Sequence, residues 1–281
     1  VNLRTDATDV DQRVDHLIAE GVRVASFAQA PGRTIVERLK EAGVVVIPTI
    51  GAARHAEKVA EWGVDAVIAQ GAEGGGHTGL VPTSILIPQV LDALDGSGVA
   101  LVAAGGFTDG RGLAAALAFG ADAVAMGTRF LLTRESPTPE TTKQAYLQAQ
   151  VTEIPVSTRL DGLPQRMVMN KRLAELERSG AMKLLVLALT NAWRFKKQMD
   201  SSYLEVLKAA WDMARNSDMT LGQTLMAANA PMIIKQAMVE GQPENGVLPS
   251  GQVAGLIDDL PSCPELLDNM INDALASLSR V

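Results

Sequence analysis

Gly63-Val64-Asp65-Ala66-Val67-Ile68-Ala69-Gln70-Gly71-Ala72-Glu73-Gly74-Gly75-Gly76-His77-Thr78-Gly79 holds both a strand and the loop that follows it. Gly63 suits the left-handed backbone that ends a helix. The run after it is almost continuously apolar, as expected of a parallel strand buried on both faces. That strand opens into a loop with five glycines and one imidazole. Without Cβ atoms such a loop lets its backbone approach a flat or anionic ligand, and His77 at its rim could move a proton near neutral pH. Taken alone, the same residues also fit a solvated surface loop.

The pattern recurs along the chain. Gly21-Val22-Arg23-Val24-Ala25-Ser26-Phe27, Gly43-Val44-Val45-Val46-Ile47-Pro48, Gly98-Val99-Ala100-Leu101-Val102-Ala103 and Gly120-Ala121-Asp122-Ala123-Val124-Ala125-Met126 repeat it. Between them lie helical stretches with apolar residues three and four apart, such as Ile35-Val36-Glu37-Arg38-Leu39-Lys40-Glu41-Ala42. Alternating strand and helix predicts βα units around a parallel sheet. Small or polar residues collect at the strands' C-terminal ends: Gln29, Thr49, Gln70, Gly105-Gly106 and Gly127-Thr128. A (β/α)8 barrel builds its site on that face and commonly holds a phosphate in its last two loops. Here those are Ala103-Ala104-Gly105-Gly106-Phe107-Thr108-Asp109-Gly110 and Met126-Gly127-Thr128-Arg129, glycine turns running into helices, so N–H groups and helix dipoles converge on one anion.

The five repeats and a strand end at Val1-Asn2-Leu3 make six strands, and the chain starts on Val. The expected fold is a TIM-type (β/α)8 barrel lacking its first two βα units, about 70 residues. Residues 1–170 would form the partial barrel, 171–244 a helical lid and 245–281 a segment returning to the barrel.

Gln70-Gly71-Ala72-Glu73-Gly74-Gly75-Gly76-His77-Thr78-Gly79 resembles the signature of the nitronate monooxygenase (2-nitropropane dioxygenase) family, which usually has Ala where this chain has Gly74. Val102–Gly112 and Ala125–Phe130 resemble its two later motifs, Val1-Asn2-Leu3 its third strand, and Gly251-Gln252-Val253-Ala254-Gly255-Leu256-Ile257 its C-terminal motif. The resemblance implies an FMN-binding barrel. Asn2 and Gln70 would face the isoalloxazine, with the loop glycines Gly71, Gly75 and Gly76 beside it. Gly105, Gly106, Gly127 and Thr128 would hold the phosphate, and His77 would lie over the flavin beside the substrate as the catalytic residue. The family includes nitronate oxidases, NADH:quinone reductases and flavin enoyl reductases, and an actinobacterial branch works on CoA esters in steroid breakdown.

Composition fits a cytoplasmic enzyme. The chain has 281 residues, 47% of them hydrophobic, with a single cysteine and a net charge of −7. Those values argue against a disulfide framework, nucleic acid or an anionic membrane surface as partner. No run reaches the ~18–20 apolar residues that span a bilayer. Three histidines and Cys263 show no metal-ligand spacing. His16 and His55 read as solvated surface, and Asp109 and Arg111 as a helix cap; the roles of Arg159, Asp161 and Arg166 are not legible. In the expected lid, Trp193 and Trp211 flank Arg194, Lys196 and Lys197, a basic edge suited to CoA phosphates. The same helices could pack on the barrel or form a homo-oligomer.

Three functions are consistent with these residues. One is oxidation of a nitronate or similar carbanion-like small molecule with oxygen as acceptor. Another is NAD(P)H-dependent flavin reduction of an unsaturated acyl-CoA or quinone. The third is a non-catalytic scaffold, disfavoured by the retained glycine turns and His77.

Overall fold

The computed structural model describes residues 1–5, 7, 9–180 and 221–280. The chain divides into two compact units: residues 1–74, 78–127 and 263–281, and residues 75–77 and 128–262.

The first unit alternates strand and helix: β1 (Asn2–Leu3), α1 (Val10–Ala19), β2 (Val24–Phe27), α2 (Arg33–Glu41), β3 (Val45–Ile50), α3 (Ala53–Ala60) and β4 (Ala66–Gln70). After β5 (Gly76–His77), which belongs to the second unit, come α4 (Thr83–Ala93), β6 (Ala100–Ala104), α5 (Gly110–Ala118) and β7 (Ala123–Ala125). The strands form one parallel sheet in the order β1-β2-β3-β4-β6-β7. This is an α/β fold. Each predicted cap glycine is left-handed: φ is 66° at Gly21, 72° at Gly43, 83° at Gly63, 72° at Gly98 and 96° at Gly120.

Only one face of the sheet is fully buried. Ala25, Phe27, Val46, Val67, Ala69, Leu101 and Ala103 pack there with helix residues such as Val36, Leu39, Leu86 and Ile87. Burying each large side chain stabilises the unit by about 1.5–3 kcal/mol. On the other face Val24 and Val45 are exposed, and Ser26, Ile47, Thr49, Ile68, Gln70 and Val102 are half-buried. Burial on both faces was expected from the apolar runs. The helices that share a core with these strands cover a single side, so a continuous apolar run does not mean equal burial. Thr49 stands near the C-terminal end of β3, as expected, paired with Ile68.

Two acidic residues hold the strand starts. Asp65 accepts from Val46 N–H at 2.8 Å, and Asp122, at the equivalent place in its repeat, accepts from Leu101 N–H at 2.8 Å. Each carboxylate joins the start of its own strand to the start of the strand before it. The helix Cys263–Leu278 packs on α5. Their approach is close at Gly110, where a Cβ would come within 2.3 Å of Met270 O and 2.4 Å of Ala274 N.

The second unit holds α6 (Thr128–Leu131), α7 (Glu140–Leu147), β8 (Val156–Ser157), β9 (Gln165–Val168), α8 (Lys171–Arg178), the helix Leu221–Met238 and β10 (Leu248–Pro249). Its strands are short and antiparallel: β9 pairs with β5 and β8 through Gln165 and Arg166, and with β10 through Met167 and Val168. Leu160, Met167, Leu173, Leu176, Ile233 and Val247 form one core, and Leu132, Tyr146, Ile154, Ala237 and Leu248 another. Tyr146 donates to Pro249 O at 2.7 Å, and burial pushes its phenol pKa up. Residues 128–170 share these cores with 230–257, so the units divide at 127/128 rather than at the expected 170/171. Trp193, Arg194, Lys196, Lys197 and Trp211 of the expected lid lie outside the described residues. Among the described residues no helix is long and apolar enough to cross a membrane.

Candidate active site

In the first unit β4 runs into the glycine loop beside the end of β6. Gln70 pairs with Ala104, and Gly71 N–H donates to Ala104 O at 2.9 Å. Gly105 (φ 90°) and Gly106 (φ 85°) follow β6 in a conformation that L side chains rarely adopt. A Cβ on Gly105 would lie 3.1 Å from Gly71 O and Gly74 N, so the two loops touch. Glu73 stands 3.7–3.9 Å from a Cβ on Gly106. Its carboxylate accepts from Thr83 N–H at 3.0 Å and Thr83 Oγ1 at 2.7 Å, and Thr83 Oγ1 also reaches Gly105 O at 2.9 Å. Glu73 therefore occupies the positive end of α4.

The N-terminus of α5 is occupied as well. Asp109 accepts from Arg111 N–H at 3.0 Å and Gly112 N–H at 3.2 Å, the capping role expected of it. Burial pushes the Asp109 carboxyl up, but these bonds and the Arg111 guanidinium outweigh it and hold the pKa below the usual value. Asp109 therefore occupies the amides at the start of α5, as Glu73 does at the start of α4.

The loop glycines have different reasons to be glycine. A Cβ on Gly71 would strike Thr83 Oγ1 at 2.0 Å, and one on Gly75 would strike Gly251 N at 2.4 Å. Gly74 leaves room for Gln70, whose side chain lies 2.6–2.8 Å from where a Cβ would stand. Gly76 has φ 67°. Gly127 has neither constraint: its φ is not positive, and a Cβ there would meet nothing within 4 Å.

His77 lies in the second unit, on β5. Its antiparallel partner is Gln165, with Gly76 opposite Arg166. Asp161 Oδ2 is 2.8 Å from His77 Nε2 and 2.5 Å from Gln165 Nε2, while Asp161 Oδ1 accepts from Leu163 N–H at 3.1 Å. The His77 side chain is 53% exposed and that of Asp161 15%, so the ring is open to a ligand while its carboxylate partner is sheltered. Burial raises the Asp161 pKa, but the bonds from His77, Leu163 and Gln165 prevail and hold it below the usual carboxylate value. In the same unit Thr128 Oγ1 accepts from Gly251 N–H at 2.9 Å, which leaves the hydroxyl proton to be donated elsewhere. Arg129, buried beside it, binds Asp259 at 2.7 Å and Leu132 O at 2.7 Å.

The structure thus gathers Gln70, Gly71, Gly105 and Gly106 in one unit, and Gly75, Gly76, His77 and Thr128 in the other. Asn2 is on β1, its amide donating to Ser26 Oγ at 2.9 Å, separated from β4 in the sheet order by β2 and β3. His16 and His55 are exposed. Sequence reasoning missed Asp161 and Gln165 as partners of His77, and Glu73 as the cap of α4. The only sign was that Asp161 stood in a segment with charged residues of unread purpose.

The relatives give the class of the protein, an oxidoreductase. The family model for nitronate monooxygenase matches residues 1–273, and the chain belongs to that family. Two proteins named (3aS,4S,5R,7aS)-5-hydroxy-7a-methyl-1-oxo-octahydro-1H-indene-4-carboxyl-CoA dehydrogenase are similar to nearly the whole chain. The Mycobacterium tuberculosis protein is 52% identical over 99% of this chain and 78% of its own length, and the Rhodococcus jostii protein 54% over 98% and 77%. A probable nitronate monooxygenase of Staphylococcus saprophyticus is 36% identical over 59% of the chain and 50% of its own length. Among solved structures, a point mutant of FabK from Thermotoga maritima superposes with a TM-score of 0.76 at 27% identity, covering 100% of this chain and 75% of that one.

Proposed function

We propose that the chain is an FMN-dependent dehydrogenase of a CoA thioester whose acyl group is a hydroxylated bicyclic acid. The observation that carries this reading is the 52–54% identity to the two indene-carboxyl-CoA dehydrogenases over 98–99% of the chain, against 36% over 59% for the nitronate monooxygenase. The six parallel strands would be consecutive strands of a (β/α)8 barrel, a reading supported by the likeness to FabK.

The residues present fit FMN. Gly127 is free of any packing or backbone reason to be glycine, as expected where a ligand approaches the chain. Gly105, Gly106 and Gly127 would bind the phosphate through backbone amides, and Thr128, the next residue, through its remaining hydroxyl proton. Asn2 and Gln70 would offer side-chain amides to the flavin ring. Bound flavin would supply a two-electron acceptor. His77 would take the proton from a carbon acidified by a neighbouring thioester carbonyl.

The test is turnover of the hydroxy-oxo-octahydroindene-carboxyl-CoA ester beside propane-2-nitronate, each with an artificial electron acceptor. Turnover of the thioester with little of the nitronate supports the reading. Turnover of the nitronate alone restores the simpler nitronate oxidation, and rapid anaerobic bleaching by NADH or NADPH would favour the reductive direction.

A further inference from the structure

We propose that Asp161 is the positioning residue for His77: it fixes the ring in the Nε2–H tautomer, so that Nδ1 carries the lone pair that accepts a proton. This rests on the reading of His77 as the proton-transfer group. Three donors converge on the Asp161 carboxylate. Oδ2 faces both His77 Nε2 and Gln165 Nε2, and Oδ1 faces Leu163 N–H. An ionised carboxylate only accepts, so its short contact with His77 requires a proton on Nε2. Gln165 Nε2 and His77 Nε2 are also 3.1 Å apart. Both nitrogens point their protons at Oδ2, so that contact is a consequence of sharing one acceptor and not a bond between them.

The surroundings hold this arrangement in place. His77 and Gln165 are register partners across β5 and β9, which sets the spacing of the two donors. Asp161 is tied to its own turn by Leu163 N–H, and Gly162, with φ 85°, lets the chain reverse there. An exposed ion pair formed by chance would have neither a second donor on the same oxygen nor a sheltered carboxylate, and such pairs contribute little. Asparagine cannot replace Asp161 without conflict. Its amide nitrogen would face either Leu163 N–H or the pair of donors from His77 and Gln165. In the second orientation it would stabilise the wrong tautomer, as is seen when the aspartate of a serine-protease triad becomes asparagine.

The test uses the full chain with its cofactor, labelled with ¹⁵N-histidine. The chain has three histidines, and a His77→Gln variant identifies the His77 signals. Long-range ¹H–¹⁵N spectra at about pH 8, above the ordinary imidazole range, should show the Nε2–H tautomer in the wild type and its loss in Asp161→Asn. A His77 ring in the Nδ1–H form in the wild type overturns the proposal, and so does an unchanged tautomer in the variant. The wild-type spectrum decides even if the variant does not fold. In turnover, Asp161→Asn should lose ~10–100-fold in kcat with KM unchanged, a size typical of contacting groups that act together. Adding it to His77→Ala should cost nothing more. An equal further loss in the His77→Ala background would make Asp161 a residue that acts apart from His77. Wild-type turnover in His77→Ala would instead sink the reading of His77 itself, while the spectra would still report on the tautomer.

Discussion

At the scale of the residue, the glycines of the site separate into those that packing or backbone geometry requires and one, Gly127, that neither requires. Gly71→Ala would force a Cβ onto Thr83, and overpacking of this kind costs about 1–3 kcal/mol or more. Gly127→Ala meets open space in the protein. The expected result is therefore a lowered melting temperature for Gly71→Ala, and an unchanged one with reduced flavin content for Gly127→Ala; full flavin in the latter would move the phosphate elsewhere. Asp161 adds a pH dependence. Its folded pKa lies below the unfolded one, so the stability it contributes is complete above the ordinary carboxylate value of ~4 and is lost as pH falls through the folded value. Urea titrations of wild type and Asp161→Asn should differ near neutrality and converge in acid; a constant difference would show that the carboxylate charge is not involved. His77 drew attention in the sequence because a histidine in a glycine-rich loop is chemically unusual, and its catalytic role is the one proposed above. Asp161 was not legible, because 84 residues separate it from His77 and its own neighbours show no pattern.

At the scale of the element, the parallel sheet was legible almost strand for strand, since five of its six strands follow a cap glycine with a run of apolar residues. The repeat also carries a device that the hydrophobic pattern hid. Asp65 and Asp122 occupy the same place in two repeats, and each accepts the amide that begins the preceding strand. Asp122→Ala leaves Leu101 N–H without that acceptor, and losing such a bond costs about 1–3 kcal/mol. Chemical denaturation should show this loss while flavin binding and turnover are retained; no change in the midpoint would make the contact incidental. The crossing of α5 with the helix Cys263–Leu278 makes a second demand. Gly110 sits inside a glycine-bearing motif read as phosphate-binding, yet its own space is filled by Met270 and Ala274 backbone. Gly110→Val should separate the two helices and lower the melting temperature before it alters the cofactor.

At the scale of the whole molecule, the division into two units was the least legible property. The strands of the second unit are two to four residues long, too short for an alternating pattern to stand out. One of them, β5, is built from the glycine loop itself. The glycine loop thus leaves the first unit at Gly75 and returns at Thr78, with His77 in the second unit's sheet. In the proposed reaction this histidine removes a proton while bound flavin accepts the electrons. The direct measurement is anaerobic single-turnover bleaching of the flavin by the hydroxy-oxo-octahydroindene-carboxyl-CoA ester, in wild type and in His77→Ala with equal flavin content. This role predicts bleaching in the wild type and a rate ~10²–10³-fold lower in the variant, the size of a lost general base or oriented donor. Equal bleaching rates in the two proteins would contradict it.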